Sequence, residues 1–126
     1  MAAYLEGRHH PQQALAPRVA FFAEHGRDVI GYIAGHLTER HGCHGEVQYL
    51  YVAQDARRMG VAGELLQRLA GWFIEHNATK LCVNANLDSP PAVPFYLSHG
   101  ATPLNPYWYI WSDARQLTRS WEDRLT

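Results

Sequence analysis

One change of hydrophobic period constrains this chain more than any other feature. From Arg18 to Ala53 the apolar residues come in short β-branched and aromatic runs, and from Met59 to His76 they recur at helical spacing. Arg18–His25 (RVAFFAEH), Val29–Leu37 (VIGYIAGHL) and Glu46–Ala53 (EVQYLYVA) read as strands. Gly26-Arg27-Asp28 supplies a turn, so the first two strands form a hairpin, with the third antiparallel to the second. In the helical stretch, Val61, Leu65, Leu66, Leu69, Trp72, Phe73 and His76 mark one face, with Glu64, Gln67, Arg68 and Glu75 opposite. Lys80–Leu87 reads as a strand again, which makes a βαβ unit whose strands run parallel. Asp88-Ser89-Pro90-Pro91 starts a short helix, Pro91–Ser98, that Gly100 ends. Tyr107–Trp111 is a last strand, and Asp113 caps a helix over Ala114–Leu125. Before all of these, Pro11–Leu15 suits one helical turn. The order β-β-β-α-β-α-β-α gives a mixed sheet flanked by helices, of α/β or α+β class.

Composition narrows the function. A chain of 126 residues makes one domain, spanning 1–126. Eleven cations against twelve acidic residues give a net charge of −1, so no basic excess points to nucleic acid or to a membrane surface. Gly and His interrupt the longest apolar runs, and no leader-like segment opens the chain, so a cytoplasmic protein is expected. Cys43 and Cys82 are too few for a disulfide scaffold. Eight His raise the question of a metal, but there is no C-x-x-C pair and no H-x-x-x-H on a helix, so no metal is expected.

Between the third strand and the long helix stands Arg57-Arg58-Met59-Gly60-Val61-Ala62-Gly63. A strand entering a helix through small residues presents free N–H groups at the positive end of the helix dipole, where phosphate oxygens bind. Arg57 and Arg58 add charge-assisted donors. The alternative is a helix start with small residues for close packing and solvated arginines. The turn has neither the Gly-Lys-Ser/Thr of a Walker A loop nor the glycine spacing of a dinucleotide fold.

Arg57-x-x-Gly60-x-Ala62 resembles the Q/R-x-x-G-x-G/A acetyl-CoA signature of the GNAT (Gcn5-related) N-acetyltransferase superfamily. Leu50-x-Val52 falls where that family's splayed central strand ends, and Leu65-Leu66 where its helix carries paired apolar residues. A second motif, usually Asn-x-x-Ala-x-x-x-Tyr…Gly-Phe, reads here as Ser89, Ala92, Tyr96, Gly100 and Ala101, with Ser for Asn and Ala for Phe. The resemblance covers about residues 18–111 and implies a GNAT-like, centrally splayed sheet that holds acetyl-CoA. Only seventeen residues precede the first clear strand, so the N-terminal wall of the acceptor site is shortened relative to the family, and the last hairpin is abbreviated too. A partner subunit, in a homodimer, or the terminal helix would then complete the site.

The resemblance also implies roles. Pyrophosphate would sit on the N–H groups of Arg58, Met59, Gly60, Val61, Ala62 and Gly63, and pantetheine would run along Leu50, Tyr51 and Val52 as an added strand. The N–H of Leu50 or a neighbour would polarise the thioester carbonyl. Ser89 belongs to the cofactor set through the second motif, and Tyr96 falls on the family's usual general acid. Glu46, six residues before Val52, has the spacing of the glutamate base in histone-acetyltransferase members. His36 and His44 are alternative bases, and water is another. Cys43 reads as a free loop thiol, since the family transfers directly. The reaction implied is acetyl transfer from acetyl-CoA to a primary amine of a small molecule or protein. The alternatives are a non-catalytic acyl-CoA-binding or regulatory module and, further off, a zinc domain. The aromatic strand Tyr107–Trp111 fits an acceptor pocket, a dimer interface or a doubly buried strand.

Overall fold

The computed structural model describes residues 2–5, 15–57, 59–85 and 92–118. In chain order the elements are helix α1 (Ala2–Leu5), strands β1 (Leu15–His25), β2 (Asp28–Leu37) and β3 (Gly45–Val52), helix α2 (Val61–Glu75), strand β4 (Leu81–Asn84), helix α3 (Ala92–Ser98) and strands β5 (Thr102–Pro103) and β6 (Trp108–Trp111). They form one six-stranded sheet in the order β1-β2-β3-β4-β6-β5. Among the described residues β3 and β4 pair in parallel and the other neighbours are antiparallel, so the sheet is mixed.

The hairpin joining β1 and β2 turns at Gly26, whose φ of +64° suits a residue without Cβ. Helix α2 buries Leu65, Leu66, Leu69, Ala70 and Phe73 against Ile33 and Val47 of the sheet. Each such leucine contributes roughly 1.5–3 kcal/mol by leaving water. Glycines let the helix lie close. A Cβ on Gly45 would stand 2.5 Å from the Phe73 ring, and one on Gly35 would meet the Glu46 carbonyl at 2.9 Å. Tyr96 of α3 and Trp111 of β6 extend the same core.

Opposed residues on neighbouring strands share a face. Gly31 and Gly35 of β2 and Gly45 of β3 point at α2. The paired positions between them, His36 with Glu46, Ala34 with Tyr49 and Tyr32 with Tyr51, therefore project from the other face. On that second face Tyr4 of α1 is buried.

Between β3 and β4 the sheet comes apart. Among the described residues, pairing covers Gly45–Val47 against Leu81–Val83, while β3 runs on to Val52 along β2. The register of β3 shifts at the same place: Val47 opposes Gly35 and Tyr49 opposes Ala34, so Gln48 is an extra, bulged residue. A bulge bends its strand and sharpens its twist, which turns β3 away from β4.

Several boundaries depart from the sequence reading. The helix expected from Met59 starts at Val61, because Gly60 takes a left-handed φ of +77° and stands as N-cap. Of the strand expected over Lys80–Leu87, Leu81–Asn84 is regular among the described residues, and Asn86 and Leu87 lie outside them. The first strand begins at Leu15 rather than Arg18, so Leu15 is extended and not the end of a helical turn. Helix α1 and the two-residue β5 carry too few residues to show a period and were not expected. Of the C-terminal helix, residues 115–118 are described as helical, and Asp113 caps it by accepting from the Arg115 N–H (2.9 Å). The start of the helix expected at Asp88–Pro91 lies outside the described residues, as does most of Pro11–Leu15.

The two helix-facing and helix-borne glycines Gly45 and Gly71 separate by substitution. Gly45→Ala forces a methyl into the Phe73 ring and is expected to lower unfolding free energy by about 1–3 kcal/mol. Gly71→Ala, with nothing within 4 Å of its Cβ, is expected to raise it by about 0.5–1 kcal/mol. Urea denaturation of both variants measures the difference.

Candidate functional site

Among the described residues, the splay leaves one run of backbone without a strand partner. The N–H of Ala53 donates to the Ile30 carbonyl at 2.7 Å. Antiparallel pairs alternate, so the peptide groups of Tyr51 and Tyr49 turn toward β2 and those of Leu50 and Val52 turn into the gap beside β4. One of these is engaged: the Val52 carbonyl accepts from Arg57 Nε at 3.3 Å. The side chains of Leu50 and Val52 pack on the helix side of the sheet, whereas Tyr51 is exposed on the other face. At the point where the strands part, Gln48 Oε1 is a buried acceptor with no hydrogen-bond partner among the described residues.

The turn entering α2 lies at the far end of this run. After Val52 the chain makes a short 3-10 turn, Gln54–Ala56, then extended Arg57, then left-handed Gly60. The first bond of the helix is Glu64 N–H to Gly60 carbonyl, 3.1 Å. The N–H groups of Val61, Ala62 and Gly63 precede it, in the first turn, where helix donors have no partner within the helix. A Cβ on Gly60 would meet nothing within 4 Å, so the space outside the turn is open. Gly63 instead faces α3, where His99 Nε2 lies 3.2 Å from the position of a Cβ. Met59 is exposed. Arg58 and Ser89, both assigned to the cofactor set, lie outside the described residues.

The second face carries a buried polar cluster. Glu46 is only 3% exposed, and a buried carboxylate needs a partner. Arg40 supplies it: Nε donates to Oε1 at 3.1 Å. The loop between β2 and β3 folds this arginine back over the sheet, where its guanidinium also lies 4.9 Å from the centre of the Trp108 ring. His36, fully buried, faces Glu46 across the strand pair, with Nε2 3.5 Å from Oε1. On its other side His36 Nδ1 is 2.6 Å from the hydroxyl of Tyr4. Tyr4 is held in turn by Arg18, which donates to its carbonyl at 2.8 Å and lies over its ring, and by the edge of Tyr49. Burial pushes the Tyr4 phenol well above its usual range; Arg18 opposes this, and Glu46 and Tyr49 add to it.

Beside this cluster the two thiols meet. The side chains of Cys43 and Cys82 share a hydrogen bond that lowers Cys43 and raises Cys82, so Cys82 is the one held protonated. Both are free thiols and both are buried, so Cys43 is packed beneath its loop.

Of the assigned catalytic pair, Glu46 and Tyr96 occupy different surroundings. Tyr96 is fully buried on the helix side, against Phe95 and edge-on to Trp111. Of the alternative bases, His36 joins Glu46 and His44 does not. His44 Nδ1 accepts from the Thr79 and Lys80 N–H groups at 3.3 Å each, tying the starts of β3 and β4 together. No group of three or more metal-binding side chains occurs among the described residues. Sequence reasoning missed Arg40 and Tyr4. A hairpin loop six residues ahead of a buried glutamate was a usable signal for Arg40. Tyr4 gave none, since it meets His36 across 32 residues of chain.

The family model for the acetyltransferase (GNAT) family matches residues 2–101. Solved structures agree in fold. A GNAT-family protein from Desulfovibrio desulfuricans aligns with TM-score 0.67 and 15% identity, over 77% of this chain and 69% of that one. An acetyltransferase from Bacillus cereus aligns with TM-score 0.64 and 16% identity, over 86% and 83%. Tetrahymena GCN5 aligns with TM-score 0.59 and 14% identity, over 74% and 66%. At identities this low the likeness is one of fold. No curated protein matches the sequence.

Two outcomes test the cluster. Arg40→Ala leaves the Glu46 carboxylate buried without its cation and is expected to cost about 3–5 kcal/mol of stability, read by urea denaturation. The folded Tyr4 phenol keeps its proton to higher pH than the unfolded one, so its contribution is complete below about pH 10 and is lost as pH rises further. Unfolding free energy measured from pH 8 to 11 is therefore expected to fall more steeply in the wild type than in Tyr4→Phe.

Proposed function

The chain belongs to the acetyltransferase (GNAT) family, and from that premise we propose that it transfers an acetyl group from acetyl-CoA to a primary amine. The observation that carries this reading is the gap beside β3. It offers the unpaired peptide of Leu50 at one end and the open N–H groups of α2 at the other. The residues present fit the cosubstrate. An amide-bearing arm could add to β3 as a strand does, with Gln48 Oε1 as a buried acceptor awaiting a donor. Its phosphates would meet the N–H groups of Val61, Ala62 and Gly63, beside a glycine whose missing Cβ leaves room. Arg57 and Arg58 would add charge.

When bound, acetyl-CoA supplies an activated carbonyl and a thiolate leaving group. The chain supplies the rest. The Leu50 N–H polarises the carbonyl oxygen. Glu46 takes the proton that the attacking amine gives up, directly or through water. Tyr96 donates the proton that the leaving sulfur needs, and its burial suits a donor kept from bulk water. Tyr51 and Met59, exposed beside the gap and the turn, would complete the cosubstrate's surroundings. The protein is proposed to act in the cytoplasm and as a homodimer.

A non-catalytic acyl-CoA-binding module on the same fold draws on one observation: Oε1 of Glu46 is already satisfied by Arg40. Turnover separates the two. Acetyl-CoA is supplied with spermidine, tyramine or a lysine peptide, and released thiol is followed. Glu46→Gln is expected to lower kcat by about 10²–10⁴-fold while acetyl-CoA binding persists, and Tyr96→Phe to lower kcat without loss of binding. Acetyl-CoA binding with no turnover of any amine would overturn the enzyme and leave the module.

A further inference from the structure

The cluster around Glu46 is asymmetric in a way the proposed reaction does not by itself explain. Both donors that approach the carboxylate, Arg40 Nε and His36 Nε2, approach Oε1. Among the described residues none approaches Oε2. His36 Nε2 is also a buried ring atom without a hydrogen bond, 3.5 Å from Oε1. Contacts of this length are common in catalytic groups before the reactants are in place, and they tighten in the complex.

We propose that Tyr4 and His36 are positioning residues for the Glu46 base: Tyr4 fixes the imidazole tautomer whose Nε2–H faces Oε1, which leaves Oε2 as the proton-accepting atom. The inference rests on the acetyltransferase reading for its consequence and on the geometry alone for the tautomer. The phenol is a donor with one proton, and its oxygen lies 2.6 Å from Nδ1. If the phenol donates there, Nδ1 accepts and the neutral ring carries its proton on Nε2. The opposite tautomer sets the Nε2 lone pair against a carboxylate oxygen, acceptor against acceptor. Burial favours the same arrangement, since it holds the phenol in its neutral, donating form.

Other groups around the pair leave the assignment in place. Arg18 engages the Tyr4 carbonyl and ring from β1, opposite His36 in register. Tyr49 meets the Tyr4 ring from β3. Arg40 holds Oε1 from the loop, and Cys82, opposite Glu46 on β4, is hydrogen-bonded to Cys43, with Lys80 near them. No proton passes through His36 in this arrangement. The amine proton goes to Oε2, the N–H of His36 stays on Nε2, and the hydroxyl proton stays on Tyr4.

The test is spectroscopic and kinetic. In ¹⁵N-histidine-labelled wild-type protein, His36 is expected to show a protonated Nε2 and an unprotonated Nδ1 at neutral pH. Tyr4→Phe, which leaves Glu46 Oε1 facing Nε2, is expected to raise the share of the Nδ1-protonated tautomer above its wild-type level. With any amine of the panel that turns over, Tyr4→Phe and His36→Phe are expected to move the acidic limb of the kcat/KM profile to higher pH, because a donor to the anionic base is lost. The shift expected is about one pH unit. His36→Gln, which keeps an N–H donor, is expected to restore part of it, and the KM for acetyl-CoA is expected to hold throughout. A wild-type His36 protonated on Nδ1, or an acidic limb unmoved in Tyr4→Phe, overturns the proposal. If no amine turns over, the enzyme reading fails and the tautomer still decides this one. If Tyr4→Phe fails to fold, the wild-type spectrum and His36→Gln decide it.

Discussion

The rest of the molecule is arranged around a pairing that stops. Strands β3 and β4 run side by side for three residue pairs and then separate, with the bulged Gln48 at the point of separation. A backbone N–H or carbonyl left unpaired inside a sheet carries a cost that a later partner can recover. Among the described residues the outward peptide of Leu50 is such a group, and in the proposed function acetyl-CoA is the strand that fills the place beside it. The glycines at 31, 35 and 45 let α2 close against β2 and β3 from one side. On that closed side lies Tyr96, while Glu46 projects from the other face.

On that other face, chemistry is gathered from parts of the chain that are far apart. Glu46 sits on a central strand, Arg40 in the preceding loop, His36 on the neighbouring strand and Tyr4 on a four-residue helix at the start of the chain. A carboxylate this buried is stable only with its cation, and Arg40 both neutralises it and closes the surface toward Trp108. Helix α1 thereby has a use of its own. It carries an aromatic ring onto the sheet, and the ring's hydroxyl reaches the histidine next to the glutamate.

How much of this was legible depended on whether the signal was local. The β1–β2 hairpin, the parallel crossover through α2 and the glycine turn that enters α2 each announce themselves within about twenty residues, through period or through glycine, and the structure has them. The mixed sheet and the family followed from them. Pairing across the cluster was only half legible. Glu46 and His36 both stood out, and the hairpin register that makes them partners needed the loop geometry to fix it. His44, two residues from Glu46 in sequence, spends its imidazole on Thr79 and Lys80, a use that no pattern in the loop betrays. Tyr4 and the Cys43–Cys82 contact depend on tertiary packing over more than thirty residues, where sequence periodicity carries nothing.

The most direct measurement is amide hydrogen exchange at β3 with and without acetyl-CoA. If the cosubstrate adds to β3 as a strand, the Leu50 amide exchanges freely alone and slows on saturation, while Tyr49 and Tyr51, already paired with β2, change little. Saturable acetyl-CoA binding that leaves Leu50 exchange unaltered would contradict a cosubstrate seated in the gap.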